Sequence, residues 1–175
     1  MSQDLRAAMK AKVPILKVDN VTDFSEALKE LKERDINVNT YTLNSHGTGG
    51  NSNSPAYFYI GYDPITSNTD LTQLKEGLVG HNIFIGACNI GSTKSGESLL
   101  MSFAEQTKSS VIAAAHQVLG GDKYDGSMSL NPTFNNYKIS MNGSPVRSIY
   151  DVRIDKNSGI TWRFDAKLPF YFNIR

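Results

Sequence analysis

The stretch "NIFIGACNIGSTKSGESLLMSFAEQTKSSVIAAA", residues 82–115, has the clearest secondary-structure pattern in the chain. It begins with the apolar run "NIFIGAC", which is typical of a strand covered on both faces. The segment "SGESLLMSFAEQTK" follows, and in it Leu100, Phe103 and Ala104 recur at helical spacing. The apolar run "SVIAAA" then predicts a second central strand. Strand, helix and strand in this order predict a βαβ unit with parallel strands.

Segments upstream continue the alternation of strands and helices. "VPILKV" (13–18) predicts a short buried strand, and "DFSEALKELKERD" (23–35) predicts a helix with Asp23 and Glu26 as its capping box. "INVNTYTLNS" and "AYFYIGY" predict further strands, and "NTDLTQLKEGL" predicts another helix. The whole pattern predicts an α/β sandwich with a mainly parallel central sheet.

The pattern changes beyond residue 120, where "NG" and "NSG" turn signals separate aromatic runs. Such signals predict β-hairpins or a meander at the end of the sheet. No break in composition divides the chain. We therefore expect one domain over residues 1–175, with an α/β core at 1–119 and a β-rich extension at 120–175.

The composition excludes several classes of protein. The chain has 175 residues, of which 39% are hydrophobic and 20% charged, as is ordinary for a globular domain. The formal net charge of +1 predicts no nucleic-acid partner and no anionic membrane surface as partner. Charges scattered through the first residues disfavour a signal peptide, so a cytoplasmic location is expected. The single cysteine excludes an internal disulfide. The sequence has no residue spacing typical of a metal, nucleotide or dinucleotide site, so we predict no metal or cofactor.

Three residues with chemical potential follow predicted strands: His46, Cys88 and His116. Ligands of parallel α/β sheets bind at the carboxyl ends of the strands, so these side chains are expected to converge on one crevice. Cys88 also precedes a predicted helix, whose dipole favours the thiolate. Each residue alone also fits a plain structural role, since free cysteines are usually buried and a histidine at a strand end is often only a hydrogen-bonding group. A cysteine and a histidine together favour a thiol nucleophile with an acid/base partner.

Gly47 follows the histidine directly in "TYTLNSHGTGG" (40–50). Without a side chain, its backbone N–H can point into the crevice. Together with the N–H of Cys88 it is the predicted oxyanion hole.

Two segments resemble the caspase-like cysteine peptidases of clan CD. These segments are "TYTLNSHGTGG" and "NIFIGACNIGSTKSGESLLMSFAEQTKSSVIAAAHQV". In that family one hydrophobic strand ends in His-Gly and a later one ends in a small residue followed by Cys. The second segment is most similar to bacterial CHAT-like and toxin-processing members. The sequence "GACNI" lacks the Gln and Arg of the caspase pentapeptide, so cleavage after aspartate is not expected.

The resemblance implies a caspase-like fold and a Cys–His dyad that acts on a polypeptide substrate. Cys88 would attack the peptide carbonyl and form a thioester, and His46 would protonate the leaving amine. Gly86, two residues before the cysteine, would line the S1 pocket. Asp19 or Asp122 would then favour a basic P1 residue, and His116 could line the same pocket. A solvated loop carboxylate is the simpler interpretation of Asp19 and of Asp122. A packed histidine at the end of its strand is an equally open interpretation of His116.

Two other functional interpretations stay open at this point. The same dyad would serve a deamidase or an acyltransferase, and a caspase-like scaffold without activity would serve as a binding module. Toxin-type relatives bind an inositol polyphosphate through basic residues, which suggests a polyanion activator as a minor hypothesis. The basic residues of the C-terminal region, for which a solvated face is the simpler interpretation, are Arg147, Arg153, Lys156, Arg163 and Lys167.

Overall fold

The computed structural model describes residues 14–115, 127–129, 136–155 and 159–164. Three α-helices lie in this part of the chain: α1 (Val21–Glu33), α2 (Lys75–Leu78) and α3 (Lys94–Thr107). Short 3-10 turns precede α2 and α3 at Thr72–Leu74 and Ile90–Ser92. The described strands are β1 (Thr40–Leu43), β2 (Gly47–Thr48), β3 (Tyr57–Ile60), β4 (Asp63–Ile65), β5 (Asn82–Ile85), β6 (Ser110–Ala114), β7 (Ser127–Ser129), β8 (Tyr137–Met141), β9 (Arg147–Asp155) and β10 (Gly159–Arg163).

The main sheet is mixed rather than mainly parallel. Its strands follow the order β1-β5-β6-β8-β9-β10, with β7 paired to β9. The β1–β5 and β5–β6 pairs are parallel, whereas the pairs formed by β7, β8, β9 and β10 are antiparallel. The expectation of a mainly parallel sheet was therefore wrong for the described strands, although the predicted C-terminal meander is present as β8, β9 and β10.

A tight turn explains why β8 and β9 are antiparallel. Asn142 and Gly143 both have positive φ, of 52° and 83°, and the N–H of Ser144 donates to the carbonyl of Met141 at 2.9 Å. This geometry is that of a type I′ turn, whose twist matches that of antiparallel strands. It reverses the chain between β8 and β9 without a crossover helix.

Side chains of the central strands alternate between two hydrophobic cores. Ile83 and Ile85 of β5 belong to the first core, which also holds the buried hydrophobic residues of all three helices. Phe84, between them, belongs to a second core made only of strand residues among those described. Such alternation follows from the period of two along a strand.

The second face of the sheet is covered by the sheet itself. The backbone N–H of Ile160 in β10 donates to Oγ1 of Thr40 in β1 at 3.0 Å, so the strand order curls round towards its own beginning. Among the described residues, one face of the central strands β5 and β6 therefore packs against the helices. The opposite face packs against residues of β8, β9 and β10. The α/β class is confirmed, but helices covering both faces are not seen in this part of the chain.

The prediction of a buried strand over residues 13–18 was wrong for the residues that the structure describes. Residues 14–18 form no strand, and Ile15 and Leu16 are 47% and 52% exposed. The edge beside β1, where a first strand would pair, is approached by β10, and the carbonyl of Asp19 instead accepts the N–H of Tyr62 at 2.8 Å.

Helix α1 begins earlier than its predicted capping box. It starts at Val21, because Asn20 accepts the N–H of Asp23 at 2.8 Å and acts as the N-cap. The helix predicted over "SGESLLMSFAEQTK" is confirmed as α3. Within the described part, none of these helices has the length and apolar character needed to cross a bilayer.

Candidate active site

The parallel pairing of β1 and β5 brings the two predicted catalytic residues to one edge of the sheet. Leu43 is paired with Ile85 at the carboxyl ends of these strands, and the N–H of Gly86 extends the ladder to the carbonyl of Leu43 at 2.8 Å. His46 lies three residues beyond Leu43, and Cys88 lies three residues beyond Ile85. Both residues therefore leave the sheet on loops that start side by side.

The two loops touch at the residues next to His46 and Cys88. A Cβ placed on Gly47 would lie 2.9 Å from the Cβ of Ala87 and 2.6 Å from the carbonyl oxygen of Tyr57. A glycine at position 47 is therefore required by close packing, a reason that the sequence did not reveal. Gly47 also pairs with Phe58 as part of β2. Its role in an oxyanion hole stays a prediction.

The backbone at His46 is held by its neighbour Ser45. The N–H of Tyr59 donates to the Ser45 hydroxyl at 3.2 Å, and that hydroxyl donates to the carbonyl of His46 at 3.1 Å. The His46 side chain itself is exposed. These hydrogen bonds tie the backbone of His46 to β3. Ser45 was missed because a serine before a histidine carries no recognisable signal.

Cys88 is half-buried between Ala87, which is fully buried, and Asn89, which has φ of 57°. The carbonyl of Asn89 accepts both the N–H and the hydroxyl of Ser92, at 3.0 and 2.6 Å. The 3-10 turn at Ile90–Ser92 thus separates Cys88 from α3, which begins only at Lys94. The left-handed Asn89 therefore turns the chain before α3 begins.

The first turn of α3 holds the loop that follows His46. The Thr93 hydroxyl donates to the carbonyl of Gly49, and the Ser95 hydroxyl accepts the N–H of Ala56 at 2.7 Å. Gly49 is buried against the turn after Cys88, where a Cβ would lie 2.5 Å from the Ser92 hydroxyl. The hairpin after His46, the turn after Cys88 and the start of α3 therefore form one packed unit.

The predicted S1 residue Gly86 does not face an empty space. A Cβ at this position would collide with Oδ1 of Asn44, so the Asn44 amide occupies the volume above Gly86. Asn44 itself is exposed, and it lies two residues before His46. Its place between the two loops makes it a candidate contact for a ligand that sequence reasoning did not select.

The other predicted pocket residues are placed differently. Asp19 pairs with Lys17 at 3.5 Å, accepts the N–H of Tyr62 through its carbonyl, and is packed against Gly61 in the β3–β4 turn. The contacts with Tyr62 and Gly61 join Asp19 to the β3–β4 turn, and none of the three contacts joins it to Cys88. His116 and Asp122 lie outside the described residues, so their predicted roles stay predictions.

The basic residues named for a polyanion are only partly described. The guanidinium of Arg147 lies over the ring of Phe164, with its Cζ 3.8 Å from the ring centroid, which is a cation–π contact. Lys156, Lys167 and the Arg153 side chain lie outside the described part. Within the residues described, no three His, Cys, Asp or Glu side chains are grouped as metal ligands would be.

Comparison with known families places this candidate site within a family domain. The family model described as "Domain of unknown function (DUF4347)" matches residues 1–146. The chain belongs to the DUF4347 family. No curated protein and no solved structure matches the chain. The match covers every residue of the His46 and Cys88 loops, so this candidate site lies within the family's domain.

Proposed function

We propose that this DUF4347 chain is a caspase-like cysteine endopeptidase with Cys88 as nucleophile and His46 as general acid. The observation that supports the proposal most is the packing of Gly47 on Ala87, because it makes the loops that carry the two residues neighbours. The fold inferred with it is a caspase-like α/β fold whose sheet is closed on one side by its own meander. A reducing compartment such as the cytoplasm would keep the thiol available.

The proposed reaction has two steps. His46 takes the proton of the Cys88 thiol, and the sulfur attacks the carbonyl carbon of the scissile bond. The C–N bond then breaks and a thioester forms while His46 passes that proton to the departing amine. Water then attacks the thioester, which releases the acid product and regenerates the thiol. The N–H groups of Gly47 and Cys88 are the proposed donors to the oxyanion.

A peptide library incubated with wild-type protein and matched variants tests the proposal. Cys88→Ala should abolish cleavage, and His46→Ala should lower the rate about 10²- to 10⁴-fold, as expected for loss of a general acid. His81→Gln is the control, because His81 lies before β5 and contacts the Tyr41 ring at 5.5 Å between centroids. Full cleavage by Cys88→Ala would refute the proposal. Mass spectrometry of the products would reveal deamidation or acyl transfer in place of backbone cleavage.

A further inference from the structure

Thr93 uses one hydroxyl group for two contacts. Its oxygen accepts the N–H of Gly96 at 3.1 Å, which makes Thr93 the N-cap of α3, and its proton goes to the carbonyl of Gly49. The first contact stabilises the helix, as any capping residue would. The second joins α3 to the hairpin that follows His46, across 44 positions of sequence.

The geometry around this contact leaves little freedom for the hairpin. Gly96 is buried, and a Cβ placed on it would lie 3.7 Å from Cα of Gly49. The Ser95 hydroxyl holds the far end of the same hairpin through the N–H of Ala56. The start of α3 thus contacts the hairpin at two points. The same helix follows directly after the 3-10 turn that comes after Cys88.

We infer that Thr93 is a positioning residue that holds His46 in register with Cys88 through the Gly49 carbonyl. This inference rests on the proposed peptidase function for its catalytic consequence only. Small misplacements of a reacting group cost large factors in rate, and a hydroxyl that fixes one loop on the other prevents such a misplacement.

Two substitutions separate the contact with Gly49 from the helix cap. Aspartate is a good N-cap residue but has no proton to donate, so Thr93→Asp keeps the cap and loses the hydrogen bond to Gly49. Thr93→Ser keeps both contacts. Asn20→Ala removes the N-cap of α1 instead, and it serves as the control for general loss of a cap.

Hydrogen exchange and kinetics on these variants test the inference. We expect Thr93→Asp to speed amide exchange in residues 47–56 and to lower kcat up to about 10²-fold with little change in KM. Thr93→Ser should keep the exchange rates and kcat of the wild type. Asn20→Ala should change neither the exchange rates of residues 47–56 nor kcat.

Two results would overturn the inference: unchanged exchange in Thr93→Asp, or faster exchange with unchanged kcat. If the wild-type protein cleaves no peptide, the proposed function fails by itself. The exchange rates of residues 47–56 then decide whether Thr93 holds the hairpin.

Discussion

Gly47 is packed so closely on Ala87 that a Cβ at position 47 would stand 2.9 Å from the Cβ of Ala87. These residues adjoin His46 and Cys88 in the sequence, so the contact sets how near the two loops come. Any side chain at position 47 would push the histidine loop away from the cysteine loop. The packing also explains how the loops of His46 and Cys88, which are 42 residues apart in the sequence, come to lie side by side.

Gly47→Ala should separate the two loops. Adding a methyl group to a filled site typically costs about 1–3 kcal/mol, and urea unfolding measures that loss. The proposed peptidase activity should fall by more than the loss of folded protein accounts for, because the displaced loop carries His46. Gly80→Asn is the control, since Gly80 has φ of 78° with no atom near its missing Cβ, and asparagine tolerates that conformation. Equal activity in Gly47→Ala and wild type would contradict the assigned role of this contact.

Thr40→Val should loosen the curl of the main sheet. The change removes the oxygen that accepts the N–H of Ile160 at 3.0 Å and leaves that N–H unpaired, at a cost of about 1–3 kcal/mol. Faster hydrogen exchange at Ile160 and a lower free energy of unfolding are expected. Thr42→Val makes the same chemical change two residues along β1 and should have the smaller effect. If both variants exchange alike at Ile160, the hydrogen bond does not hold the curl.

Phe103→Ala should be among the most damaging changes in the helical core. Phe103 is fully buried in α3, and its ring centroid lies 5.9 Å from that of Phe58 in β3. Removing a buried aromatic side chain usually costs about 3–5 kcal/mol. Phe103→Leu retains most of the apolar volume and should lose less. A loss below about 1 kcal/mol in Phe103→Ala, measured by urea unfolding, would show that α3 is not packed on β3 in this way.

Alkaline pH should destabilise the second core through Tyr137. Burial raises the pKa of Tyr137 to about 12, above the ordinary value of 10.0, so folding favours the neutral phenol. The resulting stability is complete below pH 10 and is lost as the pH rises towards 12. Urea midpoints measured between pH 8 and 12 should fall less in Tyr137→Phe than in wild type. Tyr62→Phe, at a side chain that is 79% exposed, should behave like wild type.

Several features follow from the sequence alone because they depend on local periodicity. The apolar runs at β5 and β6 and the helical spacing in α3 identified the βαβ unit. The expectation that ligands bind at the carboxyl ends of parallel strands placed His46 and Cys88 at one edge. The Asn142–Gly143 signal likewise predicted a hairpin, since only certain residues adopt positive φ readily. A pattern with a period of two or of 3.6 is visible without any knowledge of distant contacts.

Only the tertiary structure decided the remaining features. Local patterns do not contain the mixed strand order, the exposed segment 14–18, the Asn44 amide above Gly86 or the hydrogen bond from Thr93 to Gly49. Each depends on residues that are far apart in the chain, up to the 120 positions between Thr40 and Ile160. The sequence of residues 82–115 therefore established a strand, a helix, a second strand and the position of the cysteine. Packing between distant backbones decided how closely the loop of His46 approaches the loop of that cysteine, because close approach depends on where side chains are missing.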